Sequence, residues 1–88
     1  MERLEEAEAS YKQAIALKAD FALAYSNLGV NYMELARLEE ATANFKQAIA
    51  INPELAETYN NLGVTLKKLH KLEEAEASYK KAIALKAD

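Results

Sequence analysis

Apolar residues recur at intervals of three and four along most of this chain. The first such series comprises Phe21, Ala24, Tyr25, Leu28, Tyr32 and Leu35. The second series comprises Leu38, Ala41, Phe45, Ala48 and Ile49. This spacing is typical of an α-helix with one apolar face, and a break at Ala36 and Arg37 separates the two series. Because neither apolar face can be buried alone, the pattern predicts two helices packed together as a hairpin.

The hairpin is repeated along the sequence. Residues 3–20 and 71–88 are identical at 16 of 18 positions, at an offset of 68 residues, which is twice 34. A middle copy, residues 37–54, lies at half that offset. Such a period indicates a tandem array whose units stack to bury a shared core. We predict one domain over residues 1–88, with a half repeat at 1–20, which is a second helix only, and full repeats at 21–54 and 55–88.

Small and aromatic residues at fixed positions identify the repeat. The second unit provides Tyr25, Leu28, Gly29, Tyr32, Ala41, Phe45, Ala48 and Pro53. The third provides Tyr59, Leu62, Gly63, Ala75, Tyr79 and Ala82, with Leu66 and Ala87 in place of a Tyr and a Pro. The half unit provides Leu4, Ala7, Tyr11 and Ala14. The chain thus resembles the tetratricopeptide repeat family. The resemblance implies an all-α solenoid of five helices, wound as a right-handed superhelix, that binds other proteins.

Two turn positions depart from the family pattern, which usually has glycine where this chain has Ala36 and His70. The position favours a positive φ, which costs a residue with a side chain about 1 kcal/mol. Two outcomes therefore stay open: the helices turn at these residues, or each pair fuses into one long helix that exchanges between chains. At the other boundary, Asn52 and Pro53 are typical of the N-cap and the first residue of a helix.

Glycine occurs inside both predicted first helices, as Gly29 and Gly63. Each glycine destabilises its helix by roughly 1 kcal/mol relative to alanine. Glycine at these positions therefore suggests that close packing excludes a side chain. We predict that the missing side chain lets Ala41 or Ala75 of the second helix approach closely.

The composition narrows the class of function. With 51% hydrophobic and 28% charged residues, the chain is too apolar for a disordered protein and too charged for a membrane span. Eleven basic and 14 acidic residues give a net charge of -3, which argues against nucleic acid as a partner. No stretch has the length of a signal peptide or membrane span, and this favours a cytoplasmic location. Without cysteine, thiol catalysis, disulfides and zinc-thiolate sites are excluded.

Candidate catalytic chemistry is confined to the only histidine, His70, which precedes Glu73 and Glu74 by three and four residues. Zinc needs at least three protein ligands, and a catalytic dyad needs a nucleophile or a cleft. The sequence indicates neither at this position. The paired glutamates complement the dipole in the first turn of a helix. We therefore predict no catalytic residue, no metal site and no cofactor.

Asparagine recurs at one position of the first helix, as Asn27 and Asn61. In the family this position lines a concave groove, where an amide suits the backbone of an extended peptide. The pair is similar to the asparagine ladder in the repeat domain of O-linked N-acetylglucosamine transferases and their bacterial relatives. The alternative is that these asparagines are solvated copies left by duplication. The predicted groove comprises Leu23, Ser26, Asn27, Val30, Glu57, Asn60, Asn61 and Val64. It holds no basic residue, which argues against the carboxylate clamp that some members use for chaperone tails.

The two terminal helices suggest a second function, because a further helix would cover their apolar residues in a longer array. These residues are Tyr11, Ala14, Ile15, Tyr79, Ala82 and Ile83. Exposed apolar faces of this kind predict a homo-oligomer joined through the terminal helices. The leading hypothesis is a non-enzymatic scaffold that binds protein or peptide ligands. The alternatives are an excised or engineered fragment whose main property is self-association, and the substrate-recruiting part of a larger glycosyltransferase.

Overall fold

A computed structural model describes residues 7–10, 12 and 21–86 of the chain. Helix α1 is described at residues 7–10 and 12. It is followed by α2 (Ala22–Glu34), α3 (Leu38–Ile51), α4 (Ala56–Lys68) and α5 (Leu72–Lys86). Within these residues there is no strand. The predicted all-α fold of five helices is thus confirmed.

The helices form two stacked hairpins. Helix α2 packs on α3, and α4 packs on α5. The two hairpins meet where α3 packs on α4, and α2 also contacts α4. Helix α3 is therefore covered by α2 on one side and by α4 on the other. Among the described residues, α5 is covered by α4 alone.

Each hairpin turns at the residue where the family usually has glycine. Ala36 has φ 62° and His70 has φ 61°, so both adopt the left-handed conformation. At the first turn the Arg37 amide donates to the Tyr32 carbonyl at 2.8 Å, and the Ala36 amide donates to the Met33 carbonyl at 3.0 Å. This pair of hydrogen bonds is the Schellman motif, which satisfies carbonyl groups at a helix end. The two helices of each hairpin are therefore separate, and the fused alternative does not occur in this structure.

Replacing Ala36 or His70 with glycine is expected to stabilise the fold by up to about 1 kcal/mol, because glycine adopts a positive φ without steric cost. Chemical denaturation measures the change. The matched control is Ala43→Gly, an exposed position inside α3, where glycine should instead destabilise by about 1 kcal/mol. Destabilisation at Ala36 or His70 comparable to that at Ala43 would contradict the turn geometry.

A shared core joins the two hairpins. Its buried members are Leu28, Tyr32, Ala41, Phe45, Leu62, Leu66 and Ala75. The glycines make room for aromatic rings and not chiefly for alanine: a Cβ at Gly29 would lie 2.6 Å from Cε1 of Phe45. At Gly63 the nearest atoms belong to Tyr79, at 2.9 Å. The prediction placed Ala41 and Ala75 close to these glycines; the nearest side chains are instead Phe45 and Tyr79, and close packing at both glycines is confirmed.

The boundary at Asn52 and Pro53 also differs from the prediction. Helix α3 ends at Ile51 with Asn52 as its C-cap, and α4 begins only at Ala56. The side-chain oxygen of Asn52 accepts a hydrogen bond from the Glu54 amide at 3.1 Å. Because this Asx-type bond offers the backbone a turn instead of a helix, Pro53 lies in the turn and not in the first helical position.

Helices α2 and α4 lie side by side and run in the same direction. The hydroxyls of Ser26 and Thr58 are 2.8 Å apart, and the Thr65 hydroxyl lies 3.2 Å from the Met33 sulfur. Both pairs join residues separated by 32 positions. Because the residue numbers of both pairs differ by the same amount, the two helices must run parallel. The faces of α2 and α4 that point away from the second helices therefore lie side by side.

Candidate functional site

No residue among 7–10, 12 and 21–86 covers one face of α2. Leu23, Asn27 and Glu34 are exposed along it, and Val30 is half-buried. Their spacing of four, three and four residues places them on a single stripe of the helix. Ser26 and Met33, on one side of the stripe, face α4.

Helix α4 presents the equivalent stripe. Glu57 and Lys68 are exposed, and Asn61 and Val64 are half-buried. Because α2 and α4 are parallel neighbours, the two stripes lie next to each other. We call this area, formed by Leu23, Asn27, Val30, Glu34, Glu57, Asn61, Val64 and Lys68, the α2/α4 surface.

Two members of the α2/α4 surface were missed by the sequence reasoning. Glu34 follows Asn27 by seven residues, and Lys68 follows Asn61 by seven. A seven-residue step returns to the same face of a helix, so this spacing was the available signal. Together with Glu57, these residues give the surface two carboxylates and one ammonium group.

Two predicted groove residues lie outside the stripes. Ser26 is 7% exposed, and its hydroxyl is paired with that of Thr58, so it joins the two hairpins. Asn60 occupies the equivalent place in the next unit, where the structure leaves it exposed. It lines a concavity of about 260 Å³ together with Tyr79, Ala82, Ile83 and Lys86 of α5. Ser26 therefore belongs to the surface through which the two hairpins stack, and Asn60 lies at the equivalent position of the second hairpin.

A charged cluster holds α1 against the first hairpin. The Glu8 carboxylate lies 3.2 Å from the Lys12 ammonium nitrogen and 3.3 Å from the Arg37 guanidinium. Arg37 also donates two hydrogen bonds of 2.7 Å to Glu40. The Arg37 guanidinium carbon lies 4.5 Å from the centre of the Tyr32 ring, and the Lys12 nitrogen lies 5.8 Å from it. These distances are within the range of cation–π attraction.

The ionisation of this cluster favours the packed state of α1. The hydrogen bond from the Tyr32 hydroxyl lowers the pKa of Glu8, and the charges of Arg37 and Lys12 contribute further. Burial raises the pKa of the Tyr32 hydroxyl, as does its hydrogen bond to Glu8. Because the pKa of Glu8 is depressed, its stabilising contribution is complete above the ordinary carboxyl value of about 4.3. The contribution is lost as the pH falls through the lowered pKa.

The apolar residues of α5 that were predicted to self-associate differ in exposure. Ala82 is buried, Tyr79 is half-buried, and Ile83 is 69% exposed. Ile49, the equivalent of Ile83 in α3, is half-buried and packs against the core. The predicted counterparts on α1, Tyr11, Ala14 and Ile15, lie outside the described residues.

His70 lies exposed in the second turn, where it lines a shallow depression with Glu73 and Glu74. Among residues 7–10, 12 and 21–86, no group of three potential metal ligands comes together. No described helix is long and apolar enough to cross a membrane.

Stacked helical hairpins with an uncovered stripe on their first helices define a helical repeat protein. A model of the family described as tetratricopeptide repeat matches residues 20–88, and a model described as TPR repeat matches residues 1–35. The chain therefore belongs to the tetratricopeptide repeat family, which is generally a non-enzymatic interaction module. Comparison with curated proteins found no match.

Solved structures support the same assignment. The crystal structure of MamA is similar with a TM-score of 0.93 and 26% identity, covering 97% of this chain and 50% of that one. This chain thus spans about half the length of MamA. The second TPR of Spaghetti (RPAP3), bound to the HSP90 peptide SRMEEVD, is similar with a TM-score of 0.91 and 27% identity. That match covers 93% of this chain and 76% of the other.

Proposed function

We propose that this protein is a non-enzymatic interaction scaffold whose α2/α4 surface binds an extended peptide segment. The observation that carries the proposal is the pair of uncovered parallel stripes, which place Asn27 and Asn61 at equivalent positions of neighbouring helices. A peptide crossing both helices would meet one asparagine on each.

Asparagine suits a peptide backbone because its amide both donates and accepts hydrogen bonds. Leu23, Val30 and Val64 offer apolar contacts beside the two amides. This combination supports binding through the peptide main chain, with side chains contributing mainly apolar area. The resemblance of Asn27 and Asn61 in the sequence to the asparagine ladder of glycosyltransferase repeat domains supports the same proposal.

The charges of the surface restrict the class of peptide. Glu34 and Glu57 outnumber Lys68, the one cation of the α2/α4 surface, so this surface carries a net negative charge that opposes an acidic ligand. The Spaghetti domain binds the peptide SRMEEVD, which carries two glutamates and an aspartate. For this chain we propose a neutral or weakly basic peptide instead, because like charges brought together across an interface oppose binding.

The expected affinity is low. Neighbouring helices lie roughly 8 to 10 Å apart, so two asparagines span only about three residues of a peptide that rises ~3.3 Å per residue. Each hydrogen bond contributes about 1 kcal/mol net, while association costs roughly 4 kcal/mol or more. We therefore expect a dissociation constant of about 1 mM or weaker for this 88-residue chain.

NMR titration with a blocked hexapeptide of alternating serine and valine tests the proposal. Shift changes are expected on α2 and α4, and Asn27→Ala combined with Asn61→Ala should abolish them by removing both amides. The matched control is Asn60→Ala, which removes an exposed asparagine of α4 outside the surface and should leave binding intact. Binding that survives the double substitution, or that is lost equally in the control, would contradict the proposed site.

A further inference from the structure

We propose that α5 of one copy takes the place of α1 on the first hairpin of a second copy, so that chains join head to tail. The proposal does not depend on the peptide-binding function. It rests on the near-identical sequences of α1 and α5, on the contacts of α1 with Tyr32 and Arg37, and on the exposed charged and apolar side chains of α5.

Helices α1 and α5 carry almost the same sequence. Residues 3–20 and 71–88 match at 16 of 18 positions. Glu76 and Lys80 stand in α5 where Glu8 and Lys12 stand in α1, and each pair forms an i, i+4 ion pair. Helix α5 therefore offers the same charged groups as α1 to any surface that binds α1 through its glutamate and lysine.

The surface that receives α1 is formed by Tyr32 and Arg37, and we call it the α1 seat. Arg37 lies 3.3 Å from the Glu8 carboxylate, and its guanidinium carbon lies 4.5 Å from the centre of the Tyr32 ring. Both cations of the cluster also lie over the Tyr32 ring. The seat thus recognises a helix that carries a glutamate followed, four residues later, by a lysine.

The junction between the two hairpins has different chemistry. Thr42 replaces the glutamate in α3, and Leu66 replaces the tyrosine in α4. Thr42 is 7% exposed and Leu66 is 1% exposed, so an ionised carboxylate here would be buried beside an apolar side chain. A glutamate at this position of a second helix therefore has suitable partners where the next first helix and its turn provide a tyrosine and an arginine, as Tyr32 and Arg37 do. Glu76 of α5 is complementary to that seat and would not match a surface like that of Leu66.

The recognition face of α5 is free in the described structure. The side chains of Glu76 and Lys80 are 68% and 75% exposed, and Ile83 is largely exposed as well. In α3, by contrast, Phe45 and Ala48 are completely buried, because α4 covers that face. Helix α2 of a second copy, placed on α5 as α4 is placed on α3, would extend the same interface.

This arrangement predicts how association depends on α1. The interface is heterologous, so it adds copies in one direction and does not close as a symmetric dimer. The chain holds α1 near its own seat at an effective concentration in the millimolar range. Association of the unaltered protein is therefore expected only near about 1 mM, and loosening α1 should promote it.

Sedimentation equilibrium tests the exchange. Glu8→Lys combined with Lys12→Glu keeps the i, i+4 pair but places a lysine against Arg37, which should release α1. Because like charges at an interface strongly oppose docking, we expect apparent association to strengthen by about tenfold or more. Circular dichroism checks that helical content is retained.

Three further variants in this background identify the contacts. Reversing the α5 pair, with Glu76→Lys and Lys80→Glu, should return the protein to a monomer, and so should Arg37→Ala. The matched control is Lys81→Glu, which changes an exposed charge on α5. Its equivalent in α3 is Gln47, which remains exposed although the second hairpin packs on α3. This control should leave association unchanged.

The outcomes separate exchange from its alternatives. Association that persists in Arg37→Ala would overturn the proposal, because symmetric pairing of two α5 helices does not use the seat. A folded α1 variant that stays monomeric at about 1 mM would overturn it as well. The α5 reversal is also measured in the unaltered protein at that concentration, where it should reduce association because it leaves the contacts of α1 unchanged. The test therefore holds even if the α1 variant fails to fold.

Discussion

Replacing Phe45 with alanine is expected to lower the free energy of unfolding by about 3 to 5 kcal/mol. The ring is completely buried and lies directly on Gly29, so its removal leaves a cavity between the two helices of the first hairpin. Domains of this size have only about 4 to 13 kcal/mol of total stability. The loss would therefore remove a large part of the stability of the fold.

Tyr79→Ala provides the matched comparison. Tyr79 packs on Gly63 as Phe45 packs on Gly29, but it is only half-buried, because no described helix covers the outer side of α5. We expect a loss of about 1 to 2 kcal/mol, in proportion to the smaller area buried. Chemical denaturation compares the two variants. Equal losses would mean that α4 does not contribute to the burial of Phe45.

The helices and hairpins could be predicted from the sequence because apolar periodicity reports directly which face of a helix is buried. The partner of each glycine could not. Periodicity identifies the face on which Gly29 lies, but the crossing of the two helices decides which side chain reaches it, and Phe45 extends further than Ala41. A similar ambiguity affected Asn52, whose side chain suits both an N-cap and a turn.

The candidate surface overlaps only in part with the groove residues inferred from the sequence. Ser26 and Asn60 occupy the same place in successive units and are polar, as groove residues are. Which lateral side of a helix the next hairpin covers depends on how the units stack, and a single helix's pattern does not contain that information. Ser26 faces the neighbouring hairpin and Asn60 lies at the equivalent position, so neither lies on the two stripes of the α2/α4 surface, whereas Glu34 and Lys68 do.

The charged cluster was missed because its members are distant in sequence. Glu8 and Arg37 are separated by 29 positions. A signal was nevertheless present in the comparison of the units: where Tyr32 becomes Leu66, Glu8 becomes Thr42. Two positions that change together between repeats indicate contact across the junction, in the same way as paired changes between related proteins.

This paired change leads to the second large effect, expected for Thr42→Glu. The substitution places a carboxylate at a buried position of α3. By equivalence with Glu8 and Tyr32 it would face the apolar Leu66, with Lys71 as the equivalent of Arg37. A buried charge without a full set of partners destabilises by several kcal/mol. We expect a loss of about 2 to 4 kcal/mol, and a much smaller loss for the uncharged control Thr42→Gln.

Leu66→Tyr should rescue Thr42→Glu, because it would restore at this junction the tyrosine that lies beside the cluster of Glu8 and Arg37. A double-mutant cycle by chemical denaturation measures this coupling, which we expect to be about 1 to 3 kcal/mol in favour of the pair. Adding Lys71→Arg should increase it by completing the Tyr32 and Arg37 combination. A coupling near zero would show that the two residues do not meet across the junction. The specificity inferred for the α1 seat would then lose its basis, because it depends on glutamate and tyrosine recognising each other.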